Sequence, residues 1–213
     1  MTFSPWSIAR GVLESSATAV WLLEDVDVTE RLARSFSTRL QHLQDQQSYA
    51  RDALKRDPEI TEFKQALPII GERVTHLISA AKDFGIPQKR DRNDRLIGFG
   101  SGMPNIMEMV DKQLDEGGTY RLLSAVVHAR TWALLPTGFR RVDTGSGITL
   151  EQNLTVDSAR FLVIRVIVWF ARPTWSYFSL NGWDCKRLAA VLESTYDYAA
   201  LVEDTRFWRT SSP

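Results

Sequence analysis

The sequence is poor in cysteine and carries no excess charge of either sign. Cys185 is the only cysteine among 213 residues, which excludes an internal disulfide and a cysteine-based zinc site and leads us to expect a reducing, cytoplasmic compartment. Lysine plus arginine number 26, as do aspartate plus glutamate, so the formal net charge is zero. A globally basic nucleic-acid-binding protein is therefore not expected, whereas a local basic patch is compatible with this composition.

Long hydrophobic runs are also missing. The longest apolar stretch, 161–171, is interrupted by Arg165 and is too short to cross a bilayer. The first residues lack the basic region and clean apolar run of a signal peptide, so we expect no membrane attachment. Disorder is excluded as the dominant state, because aromatic residues make up 10% of the chain and include seven tryptophans.

The patterning predicts an all-α helical bundle that forms a single domain over residues 1–213. A long loop is expected at 85–104, which is rich in glycine, proline and charge, and a small β-hairpin at 138–152. A break or kink is expected at Pro68, and Pro173 is expected to stop a helix. The predicted helices are 4–24, 29–57, 59–84, 105–114, 119–135, 156–171 and 184–205.

The segment 119–135 is apolar almost all the way round a helix. It contains no aspartate, glutamate, lysine, asparagine or glutamine, which is typical of a buried helix. At about 100° per residue, Arg121, Ser124 and His128 share one narrow arc. A polar stripe on a buried helix needs partners inside the protein, at an interface or on a ligand.

Two other apolar helices carry isolated charges. Arg10 and Glu14 are spaced to pair on the first helix, and Arg165 interrupts the apolar helix 156–171. Buried charges are almost never left unpaired. We therefore expect these three residues to meet Arg121 and His128 in one shared polar cluster. A salt-bridge network that only specifies the fold is one interpretation of this cluster.

The spacing of Arg121 and His128 resembles a known motif. An arginine, six intervening residues and a histidine fit the arginine–histidine motif of HEPN domains, which are helical domains often found as ribonuclease toxins. The pairing of an early IARGVLE helix with a later YRLLSAVVHA helix also looks like an uncharacterised family of bacterial helical proteins akin to HEPN domains. The resemblance covers these two helices.

The resemblance implies metal-independent RNA cleavage by a toxin-type or defence-type protein, without a cofactor. Histidine can move a proton near neutral pH, and arginine binds phosphate oxygens through its fork of donors. Arg121 and His128 would be the catalytic pair, brought together with a second pair across a homodimer. Ser124 would bind the imidazole or the ligand, with Arg10, Glu14 and Arg165 as supporting or binding residues. RNA and an antitoxin or other protein are the implied partners.

Other kinds of site have weaker support in the sequence. His42, His76 and His128 lie in separate predicted helices without a metal-binding pattern, so no metal site is expected. The basic residues of 88–95 and the pair Arg140–Arg141 are either solvated loop or RNA contacts. Two alternatives to the ribonuclease remain: a non-catalytic interaction protein or anionic-ligand-binding protein that uses the same cluster, and a purely structural network.

Overall fold

The computed structural model describes residues 5–24, 26–134, 137, 139–145, 147–152 and 155–203. The described residues form eight helices and two antiparallel strand pairs, so the predicted all-α bundle with a small hairpin is confirmed. Contacts divide the chain into two compact units, 1–24 with 105–213 and 25–104. The single domain remains a prediction. The predicted helix limits at residues 4, 135 and 205, and residue 138 of the predicted hairpin, lie outside the described residues.

The predicted helices are present in the predicted order, except that the helix predicted at 119–135 is divided into two. In that order the helices are α1 (Pro5–Leu23), α2 (Val28–Arg56), α3 (Thr61–Asp83), α4 (Ile106–Leu114), α5 (Gly117–Val127), α6 (Thr131–Leu134), α7 (Val156–Leu180) and α8 (Lys186–Glu203). The strands are β1 (Gln88–Arg90), β2 (Leu96–Phe99), β3 (Phe139–Asp143) and β4 (Ile148–Gln152). β1 pairs with β2, and β3 pairs with β4.

In the unit 25–104, α2 packs against α3, and β2 packs against α2. Asp27 caps α2, since its carboxylate accepts a hydrogen bond from the backbone N–H of Glu30 at 2.9 Å. α3 continues through Pro68, so the predicted break at this residue is wrong. The core is apolar and consists of Ala33, Leu40, Leu43, Ile70, Leu77, Ala81, Ile86 and Phe99.

The predicted loop 85–104 contains the β1–β2 pair. Its turn is organised by Asp91, whose carboxylate accepts backbone hydrogen bonds from Asn93 at 2.8 Å and Arg95 at 2.9 Å. The end of β2 is anchored to α2, because the buried Ser37 hydroxyl accepts from the Phe99 N–H at 2.9 Å and donates to the Phe99 carbonyl at 3.1 Å. A side chain distant in sequence thus fixes this segment.

The other unit is built around α1, which packs against α4, α5 and α7. Its buried side chains include Leu13 and Trp21 of α1, Leu123 of α5 and Trp169 of α7. α4 begins at the cap Asn105 and α7 at the cap Thr155; each side-chain oxygen accepts a backbone N–H from three residues further on. α8 packs against α7.

The predicted stop at Pro173 is wrong, because α7 continues through this residue to Leu180. A proline removes one backbone hydrogen bond and crowds the preceding turn. Here the helix is buried against the unit up to and including that position, at Trp169, Ala171 and Pro173 itself. Packing of the apolar face therefore outweighs the local cost.

Candidate functional site

The predicted helix 119–135 is interrupted directly after His128. Ala129 adopts a left-handed conformation with φ +52°, and its N–H donates to the Val126 carbonyl at 3.0 Å. The Arg130 N–H donates to the Ala125 carbonyl at 2.8 Å. These two bonds form a Schellman motif, which satisfies the last carbonyls of a helix and ends it. His128 is consequently the C-cap of α5.

Arg121 and His128 are exposed, so the predicted internal cluster does not include them; partners at an interface or on a ligand stay a prediction. α5 buries the opposite side of its surface through Tyr120, Leu123 and Val126. Within the described part of the chain, neither Arg121 nor His128 makes a side-chain hydrogen bond or an ion pair. An apolar composition therefore does not mean that every side of this helix is buried.

Arg10 forms the first of two polar clusters between helices. Its Nε donates to Glu14 Oε1 at 2.8 Å on the same helix, as the spacing predicted. Its Nη2 donates to the Tyr120 hydroxyl of α5 at 3.3 Å, and its Cζ lies 5.4 Å from the centre of the Tyr120 ring. This cluster ties α1 to α5, next to the exposed Arg121.

The surroundings of Arg10 stabilise its charged form. Partial burial lowers the pKa of the Arg10 guanidinium, but the hydrogen bond and negative charge of Glu14, with the contact to Tyr120, outweigh that effect and raise the pKa above its ordinary value. Arg10 is thus a permanent cation, and it cannot exchange protons near neutral pH. Its geometry fits a structural or positioning role.

The second cluster joins α5 to α7 through Glu116. Glu116 Oε1 accepts from Arg165 Nη1 at 3.0 Å and from Trp169 Nε1 at 3.0 Å. Glu116 Oε2 accepts from the Thr119 hydroxyl at 2.5 Å. The structure therefore gives Arg165 the internal partner that the sequence predicted, but that partner is Glu116. The five predicted residues do not form one cluster.

A pocket of about 510 Å³ opens beside the Glu116 cluster. Besides Glu116, its charged lining side chains are Arg165, Arg172 and Asp115, and Trp175 contributes an aromatic wall. Arg165 is paired with Glu116. Arg172 is exposed, and its side chain has no hydrogen-bond or ion-pair partner within the described residues. The lining of the pocket thus includes one guanidinium without a described partner and one aromatic ring.

Sequence reasoning identified Arg10, Glu14 and Arg165 as groups that need partners. It missed Glu116, which is the partner of Arg165, and Tyr120, which is a second partner of Arg10. Both residues lie at the start of α5. The available signal was their spacing of four residues, which places them one turn apart. Ser124 is half-buried, and its hydroxyl makes no side-chain hydrogen bond to His128 or to any other described residue.

The two basic spots of the sequence are partly paired with acidic neighbours. Arg90 Nη1 lies 3.4 Å from Asp94 Oδ2, and Arg140 Nη2 lies 3.1 Å from Glu151 Oε2 across the β3–β4 pair. Among the described residues, no group of three or more histidine, cysteine or acidic side chains is arranged to hold a metal ion. No described helix combines the length and apolarity needed to span a bilayer.

Comparisons with known proteins add no relatives to this description. The chain matches no protein-family model, no curated protein and no solved structure. Two exposed cationic regions, around Arg121 and around Arg172, are therefore the candidate sites.

Proposed function

We propose that this protein is a HEPN-like, metal-independent ribonuclease in which Arg121 and His128 act on the RNA backbone. The observation that carries the proposal is the accessibility of this pair. Both side chains are exposed and unpaired within the described residues. Seven helical positions separate them, so they lie near one face of α5, about 10.5 Å apart along its axis.

The chemistry requires proton transfer and binding of a phosphate. The His128 imidazole would take the proton of a ribose 2′-hydroxyl or return one to the leaving oxygen. The Arg121 guanidinium would bind the phosphate oxygens and offset the charge that develops there. Both roles require side chains that are not already paired with other residues of the protein. Arg121 and His128 meet this requirement within the described residues.

Exposed residues that follow His128 in the sequence are of types that bind single-stranded RNA. Arg130 is exposed, and Trp132 of α6 is exposed by 63%. Cationic side chains attract the backbone, and aromatic rings stack with unpaired bases. Tyr120 links the adjacent α5 turn to Arg10 and Glu14, so these two residues would position Arg121 without touching RNA. A homodimer and an antitoxin or other protein partner belong to the same proposal.

The test compares RNA cleavage by the wild type with cleavage by Arg121→Ala and His128→Ala. Each substitution should reduce the rate by about a hundredfold or more and leave the circular dichroism spectrum unchanged, because both side chains are exposed. Arg73→Ala and His76→Ala are matched controls, since both residues are exposed on α3. A wild type that does not cleave RNA, or variants as active as the controls, would contradict the proposal.

A non-catalytic anionic-ligand-binding protein is the second candidate, and the unpaired Arg172 favours it. A phosphate group bound to Arg172 would leave a base or ring free to lie against Trp175 in the same pocket. Inorganic phosphate and a nucleoside monophosphate are suitable probes in a thermal-shift experiment. Arg172→Ala should abolish the shift, whereas Arg187→Ala, an exposed arginine on α8, should retain it. An unchanged shift in Arg172→Ala would contradict this function.

A further inference from the structure

The exposed side of α7 carries a regular apolar stripe. Phe170 is exposed by 64%, Val163 by 57% and Tyr177 by 46%, although large apolar side chains are usually covered. The stripe positions follow one another at alternating intervals of four and three residues. They are Val156, Arg160, Val163, Ile167, Phe170, Thr174 and Tyr177, all apolar or aromatic except the charged Arg160 and the hydroxyl-bearing Thr174.

Intervals of four and three residues are typical of helices that pack against another helix along their length. At about 100° per residue the seven positions fall within an arc of roughly 100°. The buried side chains Leu162, Trp169 and Ala171 lie outside this arc and face the unit itself. Within the described residues, α7 therefore has two apolar sides, of which only one is buried against its own unit.

A groove of about 690 Å³ adjoins the stripe between α1 and α7. α1 contributes mainly small residues to its floor, including Gly11, Ser15 and Ala19. Ile8 and Phe170 stand at its border and project outward, since each is more than half exposed. No charged side chain lines the groove in the part of the chain that the structure describes, so it does not suit RNA or an anionic ligand.

The size of this face approaches that of a standard protein interface. The 25 residues of α7 extend over about 37 Å, and two adjacent helices are about 20 Å wide. The resulting area, roughly 700 Å², approaches the ~800 Å² per partner of a standard protein–protein interface.

We propose that the α1/α7 face, which consists of the stripe on α7 and the groove beside it, binds the same face of a second copy of this chain. A two-fold interface places one surface against itself, so it requires both projections and recesses on that surface. The face meets this requirement, because the projecting Phe170 and Ile8 lie beside a recess lined by small residues. Neither Arg121 nor His128 lines the groove, so this contact is a different one from the pairing of two arginine–histidine motifs, and the proposal does not depend on RNA cleavage.

The test measures the mass of the full chain by sedimentation equilibrium over a series of concentrations. The wild type should sediment at twice the 24.2 kDa chain mass. Phe170→Glu places a carboxylate in the interface twice, and it should raise the dimer dissociation constant by about a hundredfold. Ile69→Glu is the matched control, because Ile69 is an exposed isoleucine on α3, in the other compact unit. This substitution should leave the mass unchanged.

Val163→Glu is a second variant on the same stripe, and it keeps the test valid if Phe170→Glu does not fold. Circular dichroism and thermal unfolding should show both stripe variants folded, since both positions are exposed in one copy. A monomeric wild type would overturn the proposal, including the case in which another part of the same chain covers the face. A dimer that both folded variants leave intact would overturn it as well.

Discussion

A single carboxylate oxygen, Glu116 Oε1, accepts hydrogen bonds from Arg165 and from Trp169, both at 3.0 Å. Glu116 precedes the first residue of α5, and its two partners lie one turn apart on α7. The side chain of Glu116 is mostly buried, at 12% exposure, whereas that of Arg165 is 37% exposed. This carboxylate is therefore the main polar connection between the two helices among the described residues.

We expect Glu116→Ala to lower the free energy of unfolding by about 2 kcal/mol. The substitution leaves the Trp169 indole N–H buried without its acceptor and Arg165 without its counter-charge; the partial exposure of Arg165 limits the loss. Urea denaturation followed by tryptophan fluorescence measures the effect. Glu193→Ala, on an exposed position of α8, should change stability by less than about 0.5 kcal/mol. Equal losses in the two variants would contradict the role of Glu116.

Tyr120 contributes to stability through both its hydroxyl and its ring. Tyr120→Phe removes the hydroxyl that accepts from Arg10 and should cost about 1 kcal/mol, while the ring remains available to the guanidinium. Tyr120→Leu also removes the cation–π contact and should cost about 0.5–1 kcal/mol more. Urea denaturation of both variants, each repeated with Arg10→Ala, gives the coupling energies. A coupling of zero would show that Arg10 and Tyr120 do not interact in solution.

Ser37 is expected to hold the end of β2 on α2. Ser37→Ala leaves the backbone N–H and carbonyl of Phe99 without their buried partner, so stability should fall by about 1–3 kcal/mol. Hydrogen exchange of the Phe99 amide should accelerate in parallel. Ser35→Ala is the matched control, because Ser35 lies on the exposed side of the same helix. If the Phe99 amide exchanges at the same rate in both variants, the anchoring role is wrong.

Ala129→Gly should stabilise the protein by about 0.5–1 kcal/mol. A left-handed conformation is unfavourable for alanine and readily adopted by glycine, and glycine is the preferred residue at this position of a Schellman motif. Thermal unfolding should show a higher midpoint. Ala190→Gly, at an exposed interior position of α8, should lower the midpoint, because glycine disfavours a helix interior. A lower midpoint in Ala129→Gly would contradict the helix end described for α5.

Local signals in the sequence predicted most of the helical architecture. Pro5 begins α1, and the left-handed Gly85 follows the end of α3. The pair Arg10–Glu14 is also a local feature, since residues four apart are neighbours on any helix. The small β3–β4 pair was predicted from the turn residues between two extended runs. Each of these predictions depends on a few adjacent residues and required no knowledge of distant contacts.

The candidate site was less predictable, because its features depend on distant contacts or on one backbone angle. The sequence identified Arg165 as a charge that needs a partner, but only the approach of α5 to α7 provides Glu116. The left-handed Ala129 ends α5 and leaves His128 at an exposed position, against the expectation of one long helix. The apolar composition of 119–135 could not distinguish burial from exposure at Val127 or Trp132, since composition does not say which side faces solvent.

The sequence by itself determined that this chain is helical, where most of its helices begin and end, and which charges on apolar helices call for a partner. Those properties follow from backbone preferences and from residue spacing within one or two turns. Only the tertiary structure decided that α7 continues through Pro173, that Glu116 and Tyr120 supply the partners, and that Arg121 and His128 stay accessible. These outcomes depend on which surfaces meet, and the free energy of packing distant surfaces exceeds the local preferences that a sequence pattern records.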